Sequence, residues 1–172
     1  LRDLQGKVTK QTLLELVKSM PSSNVKNYIF KNIQGSGFSN MSVDWGFNQS
    51  SNSNGASYAD LDNDGDLDIV ANNINAPCFV YRNNSEQLPH NNYLRIRLKG
   101  EEGNTLGVGA KAYVFSGQQQ QVQEQLISKG FQSSVSPVLI FGTGGAAKID
   151  SLKIVWASGK EERWLNLPAN QE

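Results

Sequence analysis

DLDNDGDLD, residues 60–68, is the stretch that decides how this chain is built. Five aspartates in nine residues repel one another unless a cation lies among them, so the pattern asks for one. Calcium is a hard cation that takes about six to eight oxygen ligands, and it needs several carboxylates on a tightly curled backbone. Asp60, Asp62 and Asp64 alternate and point inward in such a curl, and Gly65 permits the sharp turn. Asp66 offers its main-chain carbonyl, and Asp68 closes the shell with its carboxylate. Asp60, Asp62, Asp64, Asp66 and Asp68 are therefore the expected metal residues, with Ca2+ as the expected cofactor. Magnesium suits the loop less well, because its sites use one or two carboxylates with waters and substrate phosphates.

The first six positions match an EF-hand loop, but an EF-hand carries a bidentate Glu at position twelve and a helix on each side. Position twelve here is Ala71, and the flanks are β-rich, with Tyr58 and Ala59 before and Leu67, Ile69 and Val70 after. A dockerin-type loop also requires an acidic residue at position twelve. The spacing predicts a strand, the loop and a second strand: residues 56–59 enter it, residues 67–71 leave it, and residues 79–81 add a third strand. Cys78, which begins the apolar run ending at Val80, is expected as a buried small hydrophobe.

Upstream, Leu13, Leu14, Leu16, Val17 and Met20 fall at helical spacing opposite Lys10, Gln11, Glu15 and Lys18. An amphipathic packing helix is expected over residues 9–20, with Thr9 as N-cap, or a Thr12 to Glu15 capping box as the competing start, and Pro21 as the stop. Asn, Ser and Gly then dominate residues 35–54, with Phe38, Val43, Trp45 and Phe47 as sparse apolar anchors. Downstream, residues 83–92 read as a linker, and the rest as β. Leu94, Ile96 and Leu98 alternate with Arg95, Arg97 and Lys99, a basic strip read as a solvated face. Val108, Ala110, Ala112 and Val114 repeat the alternation, and further strands are expected over residues 122–127, 138–141, 152–156 and 161–165. Residues 118–121, all Gln, are expected to form a hairpin turn entering a polar strand edge. Short strands at regular spacing imply a sandwich or barrel.

At residue level the loop, preceded by Gly55-Ala56-Ser57-Tyr58-Ala59 and followed by Ile69-Val70-Ala71-Asn72-Asn73, resembles a blade of the FG-GAP or VCBS-type propeller repeats. Those repeats carry DxDxDGxxD calcium loops. The downstream half is similar to the ASPIC/UnbV domain found at the C-terminus of cartilage acidic protein-like chains. The similarity runs from Asn92-Tyr93-Leu94 through Gly107-Val108-Gly109-Ala110 to Phe141-Gly142 and Trp156-Ala157-Ser158-Gly159. Together the two resemblances cover roughly residues 27–170. The chain departs from the family at Asn91-Asn92-Tyr93, where Asn-His-Trp is common, at Gly142-Thr143-Gly144, where GLG is common, and at Trp156-Ala157, where Trp-Pro is common. A propeller needs about four to eight blades and one loop is visible, so a single terminal blade is expected, leaning on the helix or the downstream domain for cover.

Composition narrows the function classes. A formal net charge of +0 and a pI near 6.8 make nucleic acid an unexpected partner. No apolar run is long enough to span a membrane. The single Cys78 excludes an internal disulfide and a cysteine-rich zinc site. His90 is the only histidine, and no GxSxG, HExxH or Walker-type loop is present, so no enzyme is expected. A concave site joining His90 to carboxylates outside the loop would argue otherwise. Trp45, Trp156, Trp164 and Tyr81 leave a carbohydrate-binding module as the alternative, although Trp45 and Trp156 read as core anchors.

The expected fold is mainly β: an N-terminal helix and linker over 1–34, a propeller-like calcium blade over 35–88 and a β-sandwich or barrel-like domain over 89–172. The expected function is a calcium-binding, non-catalytic structural, adhesion or recognition module. It is read as a C-terminal fragment of a larger extracytoplasmic protein, secreted, periplasmic or at the cell surface. Its partners would be upstream blades of the same parent chain and a protein or glycan ligand.

Overall fold

Residues 10–21, 25–33 and 35–172 are described in the computed structural model, and they divide into two units, Leu1–Asn52 and Ser53–Glu172. The fold is mainly β, as the alternating patterns imply.

The first unit holds helix α1 (Lys10–Ser19) and four short strands: β1 (Val25–Lys26), β2 (Phe30–Asn32), β3 (Phe38–Asn40) and β4 (Ser50–Ser51). β1 pairs with β4 and β2 with β3, both antiparallel. The helix stops before Pro21 as expected, while the Thr9 cap lies outside the described residues. Thr12 falls inside the helix rather than at its start. The expectation of a packing helix is not met: no α1 residue is buried, and Leu13, Leu14 and Val17 are half exposed. Two-stranded ladders this short present no sheet face wide enough to cover a helical stripe. Trp45, expected as a core anchor, is 46% exposed, because it sits in a turn whose backbone folds back on Met41 and Ser42.

The second unit begins with a three-stranded antiparallel sheet, β5 (Ser53–Ala59), β6 (Asp68–Asn73) and β7 (Phe79–Tyr81), in the order β5-β6-β7. Ala59 pairs with Asp68, so the acidic stretch is the connection of a β-hairpin. Cys78 is exposed rather than buried, since it precedes the edge strand β7.

Six longer strands follow: β8 (Asn92–Arg97), β9 (Lys111–Ser116), β10 (Gln119–Glu124), β11 (Val138–Gly144), β12 (Lys148–Val155) and β13 (Glu161–Pro168). They form a four-stranded sheet β10-β9-β12-β13 and a ribbon β11-β8, and among the described residues no barrel closes. Between them lies one core, in which Leu94, Ile96 and Leu98 meet Leu139 and Phe141 from the ribbon, and Ala112, Val114, Ile149, Leu152 and Ile154 from the sheet. Trp156 packs against this cluster, as expected.

Two devices join the sheets at their edges. At one, Arg95 N–H donates to the Gln171 carbonyl at 2.9 Å and Asn170 N–H to the Tyr93 carbonyl at 2.7 Å, so the last residues run parallel to β8. At the other, side chains replace a backbone ladder: Gln121 donates to the Gly142 carbonyl at 2.7 Å and Gln123 to the Ile140 carbonyl at 2.6 Å. Gln125 continues the row. Its amide is buried and donates to the carbonyls of Pro137 at 2.7 Å and Leu106 at 3.2 Å.

Several strands start or end away from their expected places: β10 begins at Gln119 and β12 at Lys148, each earlier than expected, and β11 and β13 run on to Gly144 and Pro168. The strand expected from Val108 begins only at Lys111, because Gly107 and Gly109 take left-handed backbone (φ 65° and 84°) and Asn104 clamps Val108 through both its N–H and its carbonyl. The strand expected to run to Ile127 stops at Glu124, where Gln125 turns inward.

The three-stranded sheet leans on residues that follow it in the same unit. Ser136 N–H donates to the Tyr58 carbonyl at 3.2 Å, and the Lys129 ammonium lies 5.2 Å from the centre of the Tyr58 ring. A Cβ at Gly55 would stand 2.9 Å from the Phe131 carbonyl oxygen, so only glycine lets β5 come this close. Replacing Gln125 by Leu would take the side-chain donor from the Pro137 and Leu106 carbonyls. A loss of about 1–3 kcal/mol in urea unfolding is expected, with the far-UV spectrum unchanged.

Candidate metal centre

The hairpin connection is curled by its own carboxylates. Asp60 at its start accepts the Gly65 N–H (3.1 Å), and Asp64 accepts the Asp66 N–H (3.3 Å). Asn63 and Gly65 take positive φ, 63° and 99°. At Gly65 a second constraint applies, because a Cβ there would lie 2.0 Å from Cε1 of Tyr93, whose ring on β8 fills that space.

Asp68 is buried at the first position of β6, and both its oxygens are engaged. One accepts Leu61 N–H at 3.0 Å and the other Asn83 N–H at 2.8 Å. Asp66 turns its carboxylate to the segment after β7, accepting the Ser85 hydroxyl at 2.8 Å and Glu86 N–H at 3.2 Å. The segment expected as a plain linker thus wraps the loop. It carries a 3₁₀ turn at Ser85–Gln87 because the carboxylates of Asp66 and Asp68 recruit its backbone donors.

Two arginines face the loop. Arg95, from β8, meets Asp60 at 3.0 Å with its guanidinium 5.8 Å from the centre of the Tyr93 ring, and its side chain is only 20% exposed. The basic strip is therefore not uniformly solvated: Arg95 belongs to the loop, and Arg97 is held by Glu172 at 2.6 Å. Arg82, just beyond β7, reaches Asp62 at 2.9 Å and Asp64 and Glu86 at 3.4 Å each.

Carboxylate oxygens close enough to share a cation form two groups: Asp60 with Asp62 and Asp64, and Asp64 with Asp66 and Glu86. Asp68 stands in neither, and Asp66 brings its carboxylate to the second. The Asp60 side chain is only 7% exposed, and its second oxygen, Oδ1, is buried with no hydrogen-bond donor. One oxygen each of Asp66 and Glu86 is in the same condition. Burial pushes the Asp66 carboxyl above its ordinary range against the pull of the Ser85 hydroxyl. Desolvation and the neighbouring Asp64 push Asp62 upward too, with Arg82 pulling the other way. Carboxylates held this close resist being charged together, and a bound cation relieves that.

A groove of about 500 Å³ runs past the loop, lined by Asp64, Asp66, Glu86, His90 and Tyr93 among others. It brings His90 into one concavity with Glu86, a carboxylate outside the loop. Among the described residues His90 makes no hydrogen bond or ion pair with a carboxylate.

Arg82, Ser85, Glu86, Tyr93 and Arg95 escaped the sequence reading. Arg82 carried a usable signal, as the first cation after a strand expected to lie beside the loop. The others are brought to the loop by a 3₁₀ turn and by strand β8, and no local pattern announces either.

Residues 100–172 match the family described as ASPIC and UnbV, which covers the chain from just after β8 to its last residue. No curated protein matches the chain.

Gly65→Ala is expected to lower stability by about 1–3 kcal/mol from backbone conformation alone, and further through the clash with Tyr93. Adding Tyr93→Ala removes the clash but leaves the backbone cost, and it also takes the ring from under Arg95. Urea midpoints of the single and double variants should then differ by less than the sum of the two single effects.

Proposed function

We propose that this chain is a calcium-binding, non-catalytic module of an extracytoplasmic protein, in which the ion rigidifies a blade of the FG-GAP or VCBS type against an ASPIC/UnbV-like β domain. The observation that carries the reading is the meeting of Asp60, Asp62 and Asp64, whose carboxylates lie close enough to share a cation, at a side chain whose Oδ1 is buried without a donor. Such an atom costs stability unless something positive meets it. The donor set is all oxygen and rich in carboxylates, which favours calcium over magnesium and over softer metals.

In this reading Asp60, Asp62 and Asp64 hold the ion with their side chains and Asp66 with its carbonyl. Asp68 clamps the loop through two N–H bonds while keeping a free lone pair on each oxygen for the ion. Affinity in the range of extracellular modules, about 10⁻⁴ to 10⁻³ M, suits a site that works where calcium is abundant. The purpose is structural, adhesive or recognitive, within a longer protein whose further blades would complete the propeller.

The melting temperature is expected to rise in millimolar calcium and to fall with a chelator. At a free calcium concentration one hundred times Kd the gain corresponds to about 2.7 kcal/mol. Asp62→Ala should abolish the gain. A parent protein indifferent to both calcium and chelator would overturn the reading.

A glycan-binding reading keeps one supporting observation: Trp156 and Trp164 line the same groove, of about 360 Å³, between β8 and β13. Tyr81 does not line it, and Trp45 belongs to the first unit. If the groove takes sugar rings, a glycan array gives a signal that Trp164→Ala removes.

A further inference from the structure

Arg82 and Arg95 meet the acidic hairpin in different ways. Arg95 is mostly covered, rests on the Tyr93 ring and bonds Asp60 at 3.0 Å, the side chain whose other oxygen is the buried atom without a donor. Arg82 is 57% exposed, and its guanidinium touches three carboxylates at once, Asp62 at 2.9 Å and Asp64 and Glu86 at 3.4 Å. Two of those three, Asp62 and Asp64, belong to the group that also contains Asp60. Glu86 sits four residues after Arg82 and outside that group.

One guanidinium thus draws on the same two carboxylates that a divalent ion beside Asp60 would use. Two cations on shared carboxylates repel each other, and the one held by exposed contacts yields first. Glu86 supplies a place for it to go.

Resting on the calcium reading above, we infer that Arg82 sets the cation affinity of this centre: it is an internal cation that competes with calcium for Asp62 and Asp64. Ion binding moves the guanidinium off these two aspartates and leaves it with Glu86. Arg82 therefore stabilises the ion-free hairpin and weakens ion binding by the same amount, as thermodynamic linkage requires. Arg95, bonded to the one aspartate of that group that Arg82 does not touch, stays in place in both states.

The test uses the full chain, its Arg82→Gln and Arg82→Lys variants, and Lys160→Gln as a charge control whose lysine is paired with Glu162. Calcium binding is measured by calorimetry, and melting is followed in chelator and in millimolar calcium. Arg82→Gln should bind calcium roughly tenfold more tightly than the parent. It should melt lower than the parent in chelator and together with it in calcium. Arg82→Lys, which keeps the charge but cannot span three carboxylates, should fall between. Lys160→Gln should bind like the parent. Equal calcium affinity of Arg82→Gln and parent, or an equal melting deficit with and without calcium, overturns the competition and leaves the calcium site standing. So does equal tightening in Lys160→Gln, which would mean that bulk charge is responsible. If the parent binds no calcium at all, both readings fall together.

Discussion

Electrostatic repulsion within a nine-residue hairpin is the constraint around which the second unit is arranged. Each carboxylate of the loop is answered from a different place. Asp68 takes backbone N–H groups from Leu61 and Asn83, Asp66 takes the 3₁₀ turn, Asp60 takes Gly65 and Arg95, and Asp62 and Asp64 share Arg82. Charge-assisted bonds of this kind are the strongest non-covalent contacts available to a small β sheet, and they reach across segments that share no ladder. The loop therefore organises its neighbours: it fixes the exit of β7, shapes the segment after it and receives β8.

That arrangement explains why a three-stranded sheet, ordinarily too small to stand alone, holds its shape here. One end is tied by carboxylates to the residues after β7 and to β8, and the strand β5 is tied to residues 131–136 by close backbone approach and by the Ser136 bond. The strands from β8 onward supply the apolar core of the unit, and the sheet adds charged and backbone contacts to it. Ion binding at the hairpin would act on a contact between these parts, not on an isolated turn.

Much of this was legible in the sequence where periodicity or spacing carried it. The hairpin, its three strands and the alternation of Leu94, Ile96 and Leu98 all follow from local pattern. So does the mainly β class. The glutamine run does not, since Gln119, Gln120 and Gln121, expected in a turn, lie in β10. What stayed hidden depended on contacts between distant residues. Arg95 looks like a solvated strip residue until β8 is placed beside the loop. Residues 83–92 read as a linker because donors recruited by Asp66 and Asp68 leave no periodic trace. Cys78 and Trp45 were expected inside because apolar character was taken for burial, whereas an edge strand and a small first unit leave them in solvent. Gly107 and Gly109 cut a strand short through their backbone angles, a feature that hydrophobic alternation overlooks.

The row of glutamines at the edge of the sandwich has a consequence for how the protein behaves among its own copies. A strand rich in Gln is of the composition that stacks into intermolecular amide ladders when its side chains are free. Here the amides of Gln121, Gln123 and Gln125 are each committed to carbonyls of the same chain, and three of those four carbonyls lie on β11 or just before it. The two edges that would otherwise offer themselves to a neighbouring molecule cover each other through side chains. Folding itself is what keeps this polar run from self-association, so resistance to aggregation at this edge persists only as long as the two sheets stay together.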